Sequence, residues 1–391
     1  FKQLVIPGMF FEDMGVTYLG PVDGHDIEGL IKVIEEAKRV KGAVLVHVIT
    51  QKGKGYGPAE KHPARFHGAE PFDIETGIPS HPRTVANYTD VFSTVMCKLG
   101  QRDERVVAIT AAMPDGTGLK RFRNMYPDRF FDVGIAEETA VALASGIAAN
   151  GGKPIWGVYS SFVQRTYDQI SQDLCINGNA ATMVVYWGTV YGMNDVTHLG
   201  LYDIAMLSNI PNLVYLAPTT KEEYLAMLDW SMEQTKHPVA IRTPGSTMIS
   251  DGKEVTKDFS KINTYEITQK GSKAALIGLG TFYSLAKEAA AEIEAKTGTK
   301  ATVINPYYIT GIDQAMLEDL KKDHDVVVTL EDGILDGGFG EKIARFYGNS
   351  NVKVLNFGLK KEFLDRYNVE DVLKANHLTK DQIVADILST L

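Results

Sequence analysis

The sequence predicts an α/β protein of three doubly wound domains, the first of them incomplete. Short apolar runs rich in β-branched residues alternate with amphipathic helical segments along almost all of the 391 residues. This alternation is typical of parallel sheets with helices on both faces. Two stretches rich in loop-forming residues, at 77–83 and 250–253, interrupt it. We therefore expect domains at residues 1–78, 84–250 and 251–391.

The first predicted domain starts partway through a fold. Apolar residues recur at helical spacing over 27–40, and 43–50 is a continuous apolar run typical of a parallel strand covered on both faces. A parallel strand needs neighbouring strands to be stable, and the sequence opens on Phe1 rather than Met. We therefore expect a fragment whose N-terminal part was cleaved off, in preference to a natural split gene.

The second and third predicted domains repeat the strand–helix alternation. In the second, strands are expected at 106–110, 181–186 and 212–216, with helices at 138–149 and 221–234. In the third, strands are expected at 274–279, 301–304, 326–330 and 352–355.

Composition and charge exclude several functional classes. Acidic residues outnumber basic ones by 49 to 40, for a net charge of −9, so we expect no nucleic-acid partner. No apolar run is long enough to cross a bilayer, and we expect no membrane segment. Cys97 and Cys175 lie far apart without metal-binding spacing, which favours buried thiols in a reducing compartment and a cytoplasmic protein.

Motifs of other enzyme classes are missing from the sequence. Gly278 and Gly280 follow a predicted strand, but Tyr283 stands where the dinucleotide-binding fingerprint requires a third glycine. We find no P-loop, no nucleophile elbow and no cluster with zinc spacing. These absences count against dehydrogenases, kinases and hydrolases, and we expect no metal ligands among these residues.

Three segments carry the pattern that suggests chemistry. Residues 132–137 read DVGIAE, so that Glu137 stands at the start of a predicted helix. Taken alone, this favours a carboxylate that complements the helix macrodipole.

Residues 159–169 then read YSSFVQRTYDQ, and residues 194–200 read NDVTHLG. In this order and spacing, the segments resemble the pyrimidine-binding domain of transketolase-like thiamine enzymes. They are most similar to the 1-deoxy-D-xylulose-5-phosphate synthase family, whose signatures read DVGIAEQHA, YSTFLQRAYDQ and THxG.

The resemblance extends over essentially the whole chain. Residues 18–26 (YLGPVDGHD) and 52–60 (KGKGYGPAE) are similar to the end of that family's first domain. Residues 331–333 (EDG) and 337–340 (GGFG) are similar to the family's C-terminal domain. Plain transketolases and 2-oxoacid dehydrogenase β subunits would share the fold but not these strings. The resemblance thus implies three transketolase-like doubly wound domains.

The resemblance implies an activity and its cofactors. Members of the family condense pyruvate with D-glyceraldehyde 3-phosphate, with loss of CO₂, to 1-deoxy-D-xylulose 5-phosphate, a precursor of isoprenoids, thiamine and pyridoxal. They use thiamine diphosphate and Mg²⁺ and work as homodimers. The family holds the diphosphate and the metal with a GDG-plus-Asn motif, which these residues lack. Those ligands are therefore expected in the N-terminal part of the same polypeptide.

The resemblance also implies roles for residues on the thiamine side. Glu137 matches the carboxyl that hydrogen-bonds the aminopyrimidine ring, and we expect it to be desolvated because burial favours the protonated form. Phe162 matches the residue that stacks on that ring, with a core aromatic as the alternative. Tyr159, Arg165 and Ile135 match positions of the cofactor pocket. For Arg165, a structural ion pair at the domain surface is the alternative.

Other matches concern the substrates. His67 and His198 match active-site histidines, which can move protons near neutral pH. Arg242 matches one of two arginines that hold the acceptor's phosphate, since guanidinium geometry suits that group. The alternative for Arg242 is a surface arginine after a strand. Tyr186 and Trp187 stand at the other acceptor-binding position and are candidate substrate contacts.

The sequence departs from the family around the acceptor. Residues 186–189 read YWGT where the family has Asp-Arg-Ala-Gly, and 243–245 read TPG where the family has Tyr-Pro-Arg. Glu138 and Thr139 replace the Gln-His that follows the catalytic glutamate. The changes spare the thiamine side, which favours retained thiamine chemistry and leaves a less anionic aldehyde beside Trp187 as an alternative acceptor. A related carboligase and a non-catalytic paralogue are the rival functions.

Overall fold

The computed structural model describes residues 9–81, 83–245 and 248–391. The chain divides into two compact units, Phe1–Thr84 and Val85–Leu391. Three of the features discussed above fall partly on residues outside the described ranges. These are the opening of the first predicted domain at 1–8, Pro82 in the predicted linker, and residues 246 and 247 in the second predicted domain.

The first unit contains a two-stranded parallel sheet. Its described elements are α1 (Met9–Asp13), β1 (Thr17–Asp23), α2 (Ile27–Ala37), β2 (Val44–Ile49) and α3 (Gly57–Lys61). The Asp26 side chain caps α2 by accepting the N–H of Gly29 at 3.0 Å. The predicted helix and strand are confirmed, but the expected cover on both faces of the strand is wrong, since Val48 is 37% and Ile49 54% exposed. Within the described residues, β2 pairs with β1 alone, and two strands are too few to be enclosed.

The second unit begins with a sheet of six parallel strands in the order β4-β3-β5-β6-β8-β7. The strands are β3 (Val106–Thr110), β4 (Phe130–Asp132), β5 (Lys153–Tyr159), β6 (Thr182–Tyr186), β7 (Val214–Leu216) and β8 (Val239–Arg242). The helices are α4 (Tyr88–Arg102), α5 (Lys120–Met125), α6 (Glu137–Ala149), α7 (Tyr167–Gln169), α8 (Asp203–Leu207) and α9 (Lys221–Glu233). Turns of 3₁₀-helix at Pro127–Arg129 and Val163–Thr166 and a π-helical turn at Ile170–Cys175 complete this part. The strands and helices predicted here are confirmed within a few residues.

A second sheet of five strands follows in the order β13-β12-β10-β11-β9, in which β9 alone runs antiparallel to its neighbour. The strands are β9 (Glu266–Gln269), β10 (Lys273–Gly278), β11 (Thr302–Asn305), β12 (His324–Ile334) and β13 (Lys353–Leu359). The helices are α10 (Phe282–Thr297), α11 (Gln314–Leu320), α12 (Phe339–Tyr347), α13 (Val369–Ala375) and α14 (Lys380–Thr390). The four strands predicted in this region are confirmed.

The two sheets of the second unit share one hydrophobic core. A single buried cluster joins Trp156 and Ile204 from the first sheet's layers to Ile277 and Phe339 from the second's. An isolated β-bridge also links Leu216 to Tyr308. By compactness, Val85–Leu391 is one unit, and the boundary near residue 250 stays a prediction.

Two expectations from composition can be compared with the structure. Cys97 and Cys175 are free and buried, as expected, and burial raises the pKa of the Cys175 thiol to about 12. Within the described ranges, every helix is too short or too polar to cross a bilayer.

Candidate functional site

Glu137 is held at the start of α6 by a tight turn. Strand β4 ends at Asp132, whose Oδ1 accepts the N–H groups of Ala112 at 2.8 Å and Gly134 at 3.1 Å. Gly134 adopts a φ of 71°, which glycine tolerates without steric cost. The chain then enters α6 with Glu137 only 2% exposed. The DVGIAE string thus folds into a turn that places a carboxylate inside the protein.

Arg165 is the partner of that carboxylate. Its Nη1 donates to both Oε1 and Oε2 of Glu137, each at 2.9 Å. The Arg165 side chain is 44% exposed, and its Cζ lies 5.4 Å from the centre of the Phe162 ring. The ion pair considered for Arg165 as an alternative is therefore present, and its partner is the candidate catalytic residue.

Aromatic rings extend the site from Arg165 to His198. The rings of Tyr159 and Phe162 are stacked with centroids 5.8 Å apart and planes inclined by 13°. The Phe162 ring then meets the His198 ring edge to face at 5.2 Å. Burial raises the pKa of the Tyr159 phenol. Phe162 is only partly buried, so it is not a pure core aromatic.

His198 is oriented by its own loop. Its Nδ1 lies 2.8 Å from Thr197 Oγ1 and 3.6 Å from Asp195 Oδ1. Asp195 also accepts a hydrogen bond from the Thr197 backbone at 2.9 Å. The hydrogen bonds from Thr197, more than the nearby His198, lower the pKa of the Asp195 carboxyl. The NDVTHLG string therefore holds the Nδ1 edge of the imidazole ring.

Ile135 and His67 are two further residues predicted for the site. Ile135 precedes Glu137 by two residues and is 79% exposed, and its role in the cofactor pocket stays a prediction. His67 belongs to the first unit, where its Nδ1 is 2.5 Å from Lys52 Nζ. The role of His67 stays a prediction.

Arg242 is buried in an ion pair, and the alternative of a surface arginine is wrong. It is 5% exposed, because it ends β8, a strand inside the sheet. Its Nε donates to Asp203 Oδ2 at 2.7 Å, and its Nη2 donates to the carbonyl of Asp332 at 2.6 Å and that of Gly200 at 3.2 Å. Burial disfavours the charge on Arg242, but Asp203 and Asp332 outweigh it and raise its pKa. These contacts leave little of the guanidinium for a phosphate.

Tyr186 and Trp187 differ in how deeply their side chains are buried. Tyr186 is fully buried and its hydroxyl donates to the carbonyl of Thr117 at 3.1 Å, so its side chain offers no surface to a substrate. The sequence reasoning misplaced it because alternation in a fully buried strand does not reveal which face meets a cavity. Trp187 has a φ of 62° and is partly buried. A Cβ on Gly245 would lie 2.7 Å from the Trp187 ring.

Thr189, in the same altered segment, connects the two sheets of the second unit. Its hydroxyl donates to Asp332 Oδ2 at 2.5 Å, and the backbone of Val190 donates to Asp332 Oδ1 at 2.8 Å. Thr281 donates to the same carboxylate at 2.7 Å. The segment that departs from the family is therefore anchored on a buried carboxylate.

A cavity of about 620 Å³ opens beside Phe162 and Arg165. Residues from the layers of both sheets line it: Ser160, Ser161, Phe162, Gln164, Arg165, Val196, Thr197, Leu199, Tyr202, Asp203, Met206, Ile334, Lys361 and Phe363. Asp203 and Lys361 were missed by sequence reasoning. Asp203 follows THLG by three residues and could have been found there, whereas Lys361 carries no local signal.

In the described part of the chain, no group of three or more His, Cys, Asp or Glu side chains is arranged to hold a metal ion. The structure thus brings together a buried carboxylate, a flat aromatic ring and an imidazole. It does not supply, within those residues, the oxygen ligands that a diphosphate-bound Mg²⁺ requires.

Comparison with protein families identifies three matching regions. Residues 1–50 match the family described as 1-deoxy-D-xylulose-5-phosphate synthase. Residues 85–248 match the transketolase pyrimidine-binding domain, and residues 263–383 match the transketolase C-terminal domain.

Curated relatives of the chain are named 1-deoxy-D-xylulose-5-phosphate synthase. The chain is 42% identical over 367 residues to the 1-deoxy-D-xylulose-5-phosphate synthase of Lachnoclostridium phytofermentans, covering 93% of this chain and 58% of the relative. It is 41% identical over 394 residues to the synthase of Caldanaerobacter subterraneus subsp. tengcongensis, covering 99% of this chain and 62% of the relative. The chain therefore spans about three fifths of the length of these relatives.

Solved structures share the fold. A split-gene transketolase, described as an inactive β4 tetramer, superposes with a TM-score of 0.68 at 22% identity, over 77% of this chain and 97% of that one. Transketolase from Campylobacter jejuni superposes with a TM-score of 0.64 at 17% identity, over 99% of this chain and 70% of that one. At these identities, the likeness supports the α/β transketolase fold and nothing finer.

Proposed function

We propose that the chain, which matches the 1-deoxy-D-xylulose-5-phosphate synthase family model over residues 1–50 and relatives of that name at 41–42% identity, forms part of a thiamine-diphosphate-dependent synthase. The proposed reaction condenses pyruvate with D-glyceraldehyde 3-phosphate, with loss of CO₂, to give 1-deoxy-D-xylulose 5-phosphate. The observation that carries the proposal is the cluster of Glu137, Phe162 and His198. These residues come from three separate strings, and the fold joins them through Arg165 and ring contacts.

The cluster fits the pyrimidine half of thiamine diphosphate. When bound, the cofactor would supply carbanion chemistry towards the carbonyl carbon of pyruvate. We propose that Glu137 hydrogen-bonds the ring nitrogen of the aminopyrimidine from its buried position, and that Phe162 offers the stacking face. We propose that Tyr159, Arg165 and the exposed Ile135 also contact the cofactor. We propose that His198 and His67 move protons on the substrates.

The diphosphate and Mg²⁺ ligands are proposed to lie in a part of the polypeptide beyond these residues. The relatives extend well beyond the region that this chain matches, which leaves sequence for such a site.

We also propose that the protein works as a homodimer in the cytoplasm. Around the site, Phe131 is 41% and Ile176 68% exposed, in addition to Ile135. Large apolar side chains that are exposed to this extent favour a protein partner when they form a patch. Size-exclusion chromatography with light scattering would test this, and a monomer at all concentrations would contradict it.

A related carboligase with another aldehyde acceptor is the second candidate. Two observations favour it: Trp187 stands where the family has an arginine, and Arg242 is held by Asp203 and two backbone carbonyls. The first removes a positive charge, and the second leaves the charge of Arg242 occupied by protein groups. Neither position then offers a free cation to a phosphate.

The experiment supplies the full-length gene product with thiamine diphosphate, Mg²⁺ and pyruvate, with and without glyceraldehyde 3-phosphate. CO₂ release and sugar phosphate are followed together. Formation of 1-deoxy-D-xylulose 5-phosphate supports the synthase. CO₂ release without that product supports the second candidate and calls for a panel of acceptors. Absence of both would overturn the two catalytic proposals and leave a non-catalytic role.

A further inference from the structure

The cavity beside Phe162 has few charged side chains in its wall. Of the residues that line it, Arg165, Lys361 and Asp203 carry formal charge. Arg165 is committed to Glu137 by two contacts of 2.9 Å. Asp203 is committed to Arg242, with a closest contact of 2.7 Å between two buried side chains. Two of the three charges are therefore already compensated inside the protein.

Lys361 is held much more weakly. Its Nζ lies 2.6 Å from Asp336 Oδ1, but the two side chains are 63% and 53% exposed. An exposed lysine–carboxylate pair contributes little to stability. A lysine ammonium is a compact charge on a flexible stem and can turn towards another anion. Lys361 is thus the cation of this cavity that is most readily available to a ligand.

The backbone around Lys361 is nevertheless fixed against the wall of the cavity. The Tyr202 hydroxyl donates to the carbonyl of Glu362 at 2.7 Å, and the Tyr202 and Phe363 rings meet at 5.9 Å. On the other side, the backbone of Lys360 donates to Asn376 Oδ1 at 2.9 Å. These contacts hold the segment that follows β13 in place, while the Lys361 side chain is held by the exposed pair with Asp336.

Two hydroxyl groups in the same wall lack partners in the described structure. Ser160 is 5% and Ser161 8% exposed, and the Oγ of each makes no hydrogen bond there. Buried hydroxyls are nearly always hydrogen-bonded, and those at a cavity are candidates for a bound ligand. A small oxyanion can accept from hydroxyl donors and from an ammonium at once.

We infer that this cavity receives the anionic end of the acceptor, a phosphate monoester, and that Lys361 is its cationic contact and a determinant of acceptor specificity. The inference rests on the proposed function. Lys361, from the layer of the second sheet, supplies the positive charge that is missing at Trp187, where the family has an arginine. Ser160 and Ser161 place two hydroxyls without hydrogen-bond partners in the same wall.

The test compares Lys361→Met with Lys360→Met in the full-length gene product. Lys360 is the adjacent exposed lysine and does not line the cavity, so it controls for loss of one surface charge. In K361M, the KM for glyceraldehyde 3-phosphate is expected to rise about 10-fold or more, as for a lost charged hydrogen bond. The KM for pyruvate and turnover of unphosphorylated glyceraldehyde should not change, and K360M should match the wild type. Equal KM values in the two variants would overturn the inference.

A binding measurement separates this inference from the proposed function. Inorganic phosphate is titrated into the wild type, K361M and K360M, and binding is followed by phosphorus NMR without turnover. Weaker binding in K361M alone supports the phosphate site even if no sugar phosphate is ever formed. Equal binding in all three overturns the site even if the synthase reaction is observed.

Discussion

Arg165 grips both carboxylate oxygens of Glu137 from a single nitrogen, at 2.9 Å each. The same guanidinium lies over the Phe162 ring. In this arrangement, Arg165 covers the two groups proposed to meet the pyrimidine, the buried carboxyl and the stacking face. Because a carboxyl must be free to hydrogen-bond the ring nitrogen, we expect Arg165 to release at least one oxygen when the cofactor binds.

Substitution of Arg165 tests how much the pair contributes to the protein without cofactor. Arg165→Gln leaves Glu137 buried without its counter-ion. The expected loss in free energy of unfolding is about 1–2 kcal/mol, smaller than for a fully buried pair because Arg165 is 44% exposed. Urea unfolding measures it, with the exposed Arg121→Gln as control. No difference between the two variants would contradict a stabilising pair.

Gly245 and Trp187 form a second testable relationship. Gly245 has a φ of 69°, and an added Cβ would meet the Trp187 ring at 2.7 Å. Gly245→Ala therefore combines backbone strain with a steric clash, and we expect a loss of about 2–4 kcal/mol. Gly252 has a φ of 67° with nothing within 4 Å of its Cβ position, so Gly252→Ala carries the backbone cost alone. Equal losses in thermal unfolding would show that Trp187 does not press on Gly245.

Arg242 is expected to be a structural residue as well as a neighbour of the cavity. Arg242→Met leaves Asp203 charged and unpaired in the interior, which costs roughly 3–5 kcal/mol. Arg102→Met removes an exposed arginine that pairs with Asp229 and Glu233, and should cost no more than about 1 kcal/mol. Chemical unfolding of the two variants provides the comparison. Similar small losses would mean that the buried pair is dispensable.

The buried Glu223 predicts a dependence of stability on pH. Burial raises its pKa from 4.5 to about 7, although Thr219 donates to it from both its backbone and its hydroxyl. The folded protein therefore holds a proton that the unfolded chain releases, and stability falls as pH rises from about 5 to about 7. The loss is at most about 3 kcal/mol for a shift of this size.

Glu223→Gln should flatten that part of the pH profile of the unfolding free energy. Its neighbour Glu222 is only partly buried and accepts a hydrogen bond from Ser250, so Glu222→Gln is the matched control. A wild-type profile that rises over this range, or a decline that persists unchanged in the Glu223 variant, would contradict the assignment.

The strings around Glu137, Phe162 and His198 predicted residues that the fold brings together, whereas their role towards thiamine stays a proposal. Each string folds locally, so its residues take their places from short-range turns such as that of Asp132 and Gly134. The strands and helices of the second unit were predictable for the same reason, since their periodicity reports local structure.

The acceptor side could not be predicted because its contacts are long-range. Arg242 bonds to residues 39 and 90 positions away, so its burial and its partners are invisible in the local pattern. Lys361 enters the cavity wall from the second sheet, and only the packing of the two sheets reveals it. The apolar run at 43–50 predicted a strand but not its exposure, which depends on how many neighbours the strand has.

The most direct test of the account concerns the buried carboxyl of Glu137. Exchange of the C2 hydrogen of bound thiamine diphosphate for deuterium is followed by NMR in the full-length wild type and in Glu137→Gln, at cofactor concentrations that saturate both. If Glu137 activates the aminopyrimidine, exchange in the variant should be slower by at least about 100-fold. Equal exchange rates in the two proteins would contradict the proposed role of Glu137, and with it the central claim about this site.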